Sequence, residues 1–194
     1  MKFLKSQYHP HFLFNALNTV YFQIDESNKA PRRTLEMISE LLRYQLYGGN
    51  QKVSILQEID YLKTYIALRK LRMSERLRLR VEFPPELNEL NIYPLLFLPL
   101  VENAFKYVGG DYQLDIIMKW ENNRISLFIR NSIPELSAED EALRKSVDER
   151  QRKGIGLVNL RRRLSLLYPN KHRLETRKEE TEFVAELMIE IEDI

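Results

Sequence analysis

Apolar residues recur at helical spacing in the first part of the chain. On the first predicted helix, the apolar side is made of Leu13, Leu17, Val20 and Ile24. A polar stripe nearly opposite consists of Gln7, His11, Asn15 and Asn18. Pro10 has no backbone donor and disfavours helical angles at the residue before it, so the helix is predicted to begin or kink there. His11 is therefore expected to face away from the apolar seam, where Gln7 and Asn15 can orient it.

Two further amphipathic helices are predicted before residue 75. Residues 34–47 repeat apolar side chains at Leu35, Ile38, Leu42 and Leu46. The glycine-rich residues 48–50 end this helix. Ser54 and Gln57 have the spacing of a capping box, which predicts that a third helix opens there.

The pattern changes near residue 76 to the alternation typical of a half-buried strand. In RLRLRVEF, residues 76–83, every second residue is apolar. Pro94 is predicted to open a helix of about 14 residues that ends at Gly109-Gly110. Strands are predicted at 112–120 and 124–130 around the turn residues Asn122-Asn123. A helix at 156–167 and strands near 172–178 and 182–191 follow.

This order of elements predicts an α+β fold. A helical hairpin at the N-terminus precedes a two-layer α/β sandwich, whose sheet is mixed and has helices on one face. The division is expected between residues 1–75, a helical module, and residues 76–194, an α/β domain.

Composition narrows the class of protein. The 30 basic and 28 acidic side chains give a formal net charge of +2, which does not indicate a nucleic-acid groove. The sequence has no cysteine, so disulfides and thiolate metal sites are excluded and a cytoplasmic location is the default. The longest apolar run, residues 93–101, is too short to cross a bilayer, and no membrane contact is expected from this segment. Because the His11 motif begins almost at the N-terminus, we expect the chain to be the cytoplasmic piece of something longer.

Three motifs carry candidate chemistry, and each has an ordinary structural interpretation. LPLVENAFKY, residues 98–107, places Glu102, Asn103 and Lys106 on the polar side of an apolar helix, which alone favours a solvated surface. GIGLVNLRRRL, residues 154–164, puts two glycines before an amphipathic helix, so that backbone N–H groups can meet a phosphate, but it is not a P-loop. His9 and His11 would make a metal pair only with partners that the sequence lacks.

Taken together, the motifs resemble the LytS-like sensor histidine kinases over nearly the whole chain. The resemblance rests on QYHPHFLFNALN, LLRYQL, LRMSERL, LPLVENAFKY and GIGLVNLRRRL, in the order and approximate spacing of that family. It implies that His11 accepts a phosphoryl group and that the α/β domain has the GHKL (Bergerat) fold. It also implies that Glu102 to Lys106 and Gly154 to Asn159 are two boxes of an ATP site.

The resemblance assigns a role to each residue of those boxes. Asn103 is the expected magnesium ligand, Glu102 a neighbouring acid that assists metal or proton handling, and Lys106 a phosphate-side group. Magnesium prefers oxygen ligands and keeps several waters, so one amide oxygen with the phosphates of ATP is sufficient. The other expected nucleotide-binding residues are Gly154, Gly156, Leu157 and Asn159.

Two departures from the family pattern concern the nucleotide. Asn131, in IRNSIPE, stands where relatives carry an aspartate that reads the adenine amino group, and no glycines follow it. Asn131 can still accept a hydrogen bond but lacks the carboxylate charge. Tyr107 stands where a histidine is common, and residues 133–153 would form the ATP lid.

The resemblance implies a kinase core that autophosphorylates His11 from ATP and passes the group to an aspartate of a response regulator. We also expect a homodimer through residues before about 50, because two short helices cannot bury both of their apolar stripes. One alternative is a degenerate module that binds nucleotide weakly or not at all and signals through conformation. A purely structural helical dimer is a third hypothesis, against which the retained Glu102, Asn103, Gly154 and Gly156 count.

Overall fold

The structure, a computed structural model, describes residues 10–47, 51–85, 87, 90–134 and 155–191. Its helices are α1 (Pro10–Gln23), α2 (Lys29–Tyr47), α3 (Ile55–Lys70), α4 (Leu98–Tyr107) and α5 (Ile155–Leu167). Its strands are β1 (Val53–Ser54), β2 (Arg78–Glu82), β3 (Asn91–Ile92), β4 (Gln113–Glu121), β5 (Arg124–Ser132), β6 (His172–Lys178) and β7 (Glu182–Glu190). None of these helices is both long enough and apolar enough to cross a membrane.

Helices α1 and α2 form the expected hairpin, although its packing differs from the predicted one. Helix α1 begins at Pro10, ends one residue before Ile24, and contains no buried residue. On α2 the buried residues are Met37 and Leu41, whereas the predicted stripe of Leu35, Ile38, Leu42 and Leu46 is only half-buried. The reason is that the Met37 side of α2 packs on α3, where Tyr44 stacks on Tyr61 with ring centroids 4.7 Å apart.

Helix α3 opens with the predicted capping box. The Ser54 hydroxyl accepts from the Leu56 N–H at 3.2 Å, and the Gln57 side chain accepts from the Ser54 N–H at 3.2 Å. These bonds satisfy backbone donors that a helix N-terminus otherwise leaves unpaired. One side of the helix then enters the core, with Ile55, Ile59, Leu62 and Ile66 buried.

The five longer strands form one mixed sheet in the order β2-β4-β5-β7-β6. Strand β2 runs parallel to β4, which requires the crossover that α4 provides, and the other neighbours are antiparallel. The β4–β5 hairpin turns at Asn122 and Asn123, with φ of 51° and 59°. Asparagine tolerates this left-handed conformation better than most residues, so the predicted turn is confirmed.

Helices cover one face of the sheet, which confirms the α+β class. Helix α4 packs on β4 and β5, α5 packs on β6, and α3 packs on α4. A single buried cluster joins these helices to the inward side chains of the strands. Because α3 belongs to that cluster, buried packing continues across the expected division at residue 75, which itself stays a prediction.

Two features differ from the sequence prediction. Helix α4 begins at Leu98 instead of Pro94, because Leu95 adopts a left-handed conformation with φ of 57° that cannot continue into a helix. Strands β1 and β3, an antiparallel ribbon of two residues each, were not predicted. Both features bring the chain between β2 and α4 against the start of α3.

Candidate functional site

The imidazole of His11 lies exposed on the first turn of α1. The amide nitrogen of Asn15, one turn later, is 3.1 Å from His11 Nδ1. Amide nitrogen and oxygen occupy nearly equivalent positions, so the Asn15 oxygen can accept a proton from Nδ1 after a flip of the amide. In that arrangement Nε2 carries the free lone pair. The expected partner Asn15 is thus in place, whereas Gln7 lies outside the described residues.

The rival interpretation, a metal pair of His9 and His11, gains no support. His9 lies outside the described residues. Within the ranges that the structure describes, no cluster of three or more histidine, cysteine or acidic side chains is arranged to hold a metal. The Nδ1 atom of His172 lies 2.7 Å from the backbone oxygen of Tyr168, so that ring is tied to the α5–β6 connection.

Helix α4 presents the polar side that the sequence predicts. Its buried residues are Leu98, Leu100, Val101, Ala104 and Phe105. On the other side Glu102 and Lys106 are exposed, and Asn103 is half-buried. No other described residue forms a hydrogen bond with the Asn103 side chain, which leaves its amide oxygen available to a ligand.

The electrostatics of Glu102 are set by α3. Partial burial raises the pKa of the Glu102 carboxyl, and the guanidinium of Arg69 lowers it again. Arg69 also lies over the ring of Phe105, 5.6 Å from its centroid. The Arg69 guanidinium on the neighbouring helix thus favours the ionised form of Glu102, the form that could take up a proton.

The end of α4 is fixed to the end of β5. Ser132 accepts at its backbone oxygen from the Gly109 N–H at 3.0 Å, and its hydroxyl donates to the Gly109 oxygen at 2.6 Å. A Cβ atom at Gly109 would lie 2.9 Å from Cδ of Pro134, closer than a real contact allows. Gly110 adopts φ of 59°, which favours glycine. These contacts place α4 beside Asn131.

Asn131 is fully buried, with 0% of its surface exposed, and is only partly satisfied. Its amide nitrogen donates to the Ser132 oxygen at 3.2 Å, while its Oδ1 has no hydrogen-bond partner. A buried acceptor without a partner is costly, which marks the position as one that suits a ligand N–H donor. An amide oxygen serves this purpose without a buried charge.

No described residue fills the space beside the first turn of α5. Gly156 is exposed, and a Cβ atom there would meet nothing within 4 Å. Leu157 is half-buried and Asn159 is exposed on the same helix. Helix N-termini attract phosphate through their unpaired N–H groups, and none of the described residues blocks the space beside Gly156. Gly154, the first residue of the predicted box, and residues 135–153 of the predicted lid lie outside the described residues.

The predicted site residues that the structure describes lie on several different elements of the fold, and His11 lies on α1. Glu102, Asn103 and Lys106 lie on α4, which packs against both β5 and the α5 helix of Gly156. No hydrogen bond or ion pair between described residues joins His11 to α4 or α5. His11 lies on α1, which packs on α2, whereas the described residues of the two nucleotide boxes lie on α4 and α5.

Sequence reasoning missed a buried polar residue beneath α4. Glu58 is 0% exposed and accepts hydrogen bonds from Tyr44 and from the backbone of Leu95. A signal was present, since Glu58 falls between Ile55 and Ile59 on the apolar side of α3. A charge in that register is almost never fully buried unless it is paired.

Comparisons with known proteins show that the chain is similar to histidine kinases. A family model described as histidine kinase matches residues 1–77. The sensor protein kinase HptS of Staphylococcus aureus, strain USA300, is 28% identical over 179 residues, which are 90% of this chain and 35% of HptS. HptS of strain NCTC 8325 gives the same values. The chain thus spans only 35% of the length of these curated relatives.

Solved structures show weaker likeness. The catalytic domain of the histidine kinase ThkA is 17% identical with a TM-score of 0.46, covering 72% of this chain and 93% of that domain. The Acinetobacter baumannii histidine kinase AdeS is 13% identical with a TM-score of 0.48, covering 95% of this chain and 96% of the other. The relationship therefore rests on the two sequence matches. Residues 1–77 match the histidine kinase family model, and over 90% of its length the chain is similar to the sensor protein kinase HptS.

Proposed function

We propose that the chain is a protein-histidine kinase that autophosphorylates on His11 and passes the phosphoryl group to an aspartate of a response regulator. The observation that carries this proposal is the exposed His11 imidazole with the Asn15 amide 3.1 Å from its Nδ1. A phosphoacceptor needs an accessible ring with one unprotonated nitrogen. With the Asn15 oxygen accepting the Nδ1 proton, Nε2 meets that requirement.

The phosphoryl donor in this proposal is ATP, bound between α4, β5 and α5. The unpaired Oδ1 of Asn131 accepts from the adenine amino group, and the open start of α5 at Gly156 receives the phosphates. Asn103 supplies an oxygen ligand for magnesium, and Lys106 lies on the phosphate side. Magnesium, when bound, neutralises phosphate charge during transfer.

The transfer itself needs position more than covalent chemistry. A bond forms between His11 Nε2 and the γ-phosphorus as the bond from that phosphorus to the bridging oxygen breaks, and ADP leaves with the electron pair. The positive charge left on the ring is relieved when the Nδ1 proton is lost. In this proposal the α/β domain carries its nucleotide to His11 of the same chain or of a partner.

Incubation with γ-labelled ATP and magnesium tests the proposal. We expect acid-labile, base-stable label on the intact chain and none on His11→Ala. His172→Gln is the matched control, because that histidine lies at the far end of α5, and it should label normally. Label that survives His11→Ala would place the acceptor elsewhere, and wild-type chain that binds ATP without labelling would contradict autophosphorylation.

The same proposal includes a homodimer through the α1–α2 hairpin. Helix α1 buries none of its residues within one chain, and Phe12 and Phe22 are 73% and 79% exposed. A second hairpin would cover this surface and complete a four-helix bundle. Leu17→Glu should shift sedimentation equilibrium towards monomer, whereas Asn18→Glu, on the polar stripe, should not. A chain that stays monomeric at high concentration and labels at an unchanged rate per molecule would refute the dimer.

A further inference from the structure

Glu58 places a carboxylate at the N-terminus of a helix to which it does not belong. Its Oε2 accepts from the backbone N–H of Leu95 at 2.9 Å, and the N–H of Phe97 also interacts with the carboxylate. Phe97 immediately precedes α4 and provides no side-chain cap. A negative group near this end complements the helix dipole, and the two N–H groups that it pairs belong to residues just before Leu98, the first residue of α4. Glu58 of α3 therefore caps the turn that leads into α4.

The segment that Glu58 holds is strained. Leu95 has φ of 57°, a left-handed conformation that is unfavourable for a residue with a Cβ. Its N–H is held by Glu58, and its oxygen accepts from Arg163 of α5 at 3.3 Å. Arg163 also donates to the oxygen of Pro94 at 2.7 Å. Strained backbone persists only where surrounding contacts over-determine it, and here contacts from two helices do so.

A third helix, α2, also contacts the Oε2 atom of Glu58. The hydroxyl of Tyr44, on α2, donates to Glu58 Oε2 at 2.7 Å. Burial raises the pKa of Glu58, whereas the Tyr44 hydroxyl, the two backbone N–H groups and the Arg163 charge lower it. The bonds to Oε2 offset part of the cost of burying this carboxylate, whose Oε1 has no hydrogen-bond partner among the described residues. If one donor is removed, the buried Glu58 carboxylate loses a hydrogen bond that water cannot replace.

We propose that Glu58 is a positioning residue that couples the α1–α2 hairpin to the nucleotide-binding face of α4, with Tyr44 as the contact through which the hairpin acts. Shifting α2 withdraws the Tyr44 hydroxyl, weakens the cap, and loosens the helix that carries Asn103. Through Arg163 the same junction reaches α5, which carries Gly156. The coupling rests on the proposed function and identifies how movement of the helical module would alter nucleotide binding.

Two tyrosine variants of the full chain test the coupling. Tyr44→Phe removes the donor to Glu58 and keeps the ring. Tyr61→Phe is the matched control, because its ring stacks on Tyr44 and its hydroxyl bonds to Gln45 at 2.6 Å without a bond to Glu58. We expect Tyr44→Phe to weaken binding of magnesium and a non-hydrolysable ATP analogue about three- to tenfold, as loss of one bond to a charged group does. Tyr61→Phe should stay within about twofold.

Hydrogen exchange gives a second readout that needs no nucleotide. Exchange of the backbone amides of residues 95–101 should accelerate in Tyr44→Phe and not in Tyr61→Phe. In a Glu58→Met background, Tyr44→Phe should change neither readout further, since its partner is already gone. If Glu58→Met does not fold, the pair of tyrosine variants decides alone.

The possible results separate the coupling from the proposed kinase function. No change in Tyr44→Phe, or equal changes in both tyrosine variants, would overturn the coupling while leaving the kinase intact. Wild-type chain that binds no ATP analogue would overturn the kinase proposal and, with it, the coupling to a nucleotide. Exchange at residues 95–101 would then show only whether Tyr44 and Glu58 cap α4.

Discussion

Helices α1 and α4 each set a polar stripe against an apolar side, yet the fold uses them differently. Helix α1 has no buried residue, and its His11 is exposed. Helix α4 buries half of its 10 residues and is held at both ends, by Glu58 at its start and by Ser132 beyond its end. The difference teaches that amphipathic pattern alone does not say where a surface is covered. In the proposed kinase, the acceptor sits on the loosely packed helix and the nucleotide on the fixed one.

The largest expected effect comes from truncating the buried side of α4. Leu100 is 1% exposed, so Leu100→Ala should lower the free energy of unfolding by about 2–5 kcal/mol, through lost burial and the cavity left behind. Val20→Ala on α1, where Val20 is 46% exposed, should cost less than about 0.5 kcal/mol at low protein concentration. Urea unfolding of both variants measures this contrast. Equal losses would show that α1 is as firmly packed as α4.

A smaller effect is expected on the polar side of α4. Asn103→Ala should weaken magnesium-dependent ATP binding about 10- to 100-fold, because one oxygen ligand to a charged group is lost. The free energy of unfolding should hardly change, since Asn103 bonds to no other described side chain. Calorimetric titration and circular dichroism separate the two quantities, with Asn18→Ala on α1 as the control. Unchanged affinity in the folded variant would remove Asn103 from the site.

The smallest effect is a shift along the pH axis. Burial raises the pKa of Glu102 and the Arg69 charge lowers it. Arg69→Gln removes that charge, so the pKa of Glu102 should rise further. The carboxyl then stays protonated to higher pH, and the acid limb of autophosphorylation should move upward. Stability should respond too, because a raised carboxyl pKa favours the folded chain at low pH and loses that benefit as pH rises through it. Arg69→Lys, which keeps the charge, should restore the profile. An unmoved limb would mean that ionised Glu102 is not required.

Features set by neighbouring residues were predictable from the sequence. The capping box of Ser54 and Gln57 and the Asn122-Asn123 turn depend on local chemistry, and both were predicted. The start of α4 was wrongly predicted because Leu95 is held by Glu58, a residue 37 positions earlier. Hydrophobic periodicity depends only on residues that are close in the sequence. The contact between Glu58 and Leu95 forms only when α3 packs against the start of α4.

In the candidate site, too, the features that depend on local sequence were predictable and those that depend on tertiary contacts were not. The family resemblance named Asn103, Asn131 and Gly156, and amphipathic spacing placed Asn103 on the polar side of α4. That Asn131 is buried with an unpaired Oδ1 depends on how β5 meets Gly109, which no local pattern records. Glu58 and Tyr44 were missed because a paired, buried carboxylate looks like an irregularity in an apolar stripe.

The close approach of Gly109 to Pro134 also has an evolutionary consequence. Because the proline ring occupies the space that any side chain at 109 would need, residue 109 can change only if residue 134 changes as well. A library randomised at residue 109 alone should return glycine among functional clones. One randomised at 109 and 134 should recover alanine or serine at 109 only where proline has been lost. Covariation between residues 109 and 134 among functional clones would then be the signature of the contact that joins the end of α4 to the end of β5.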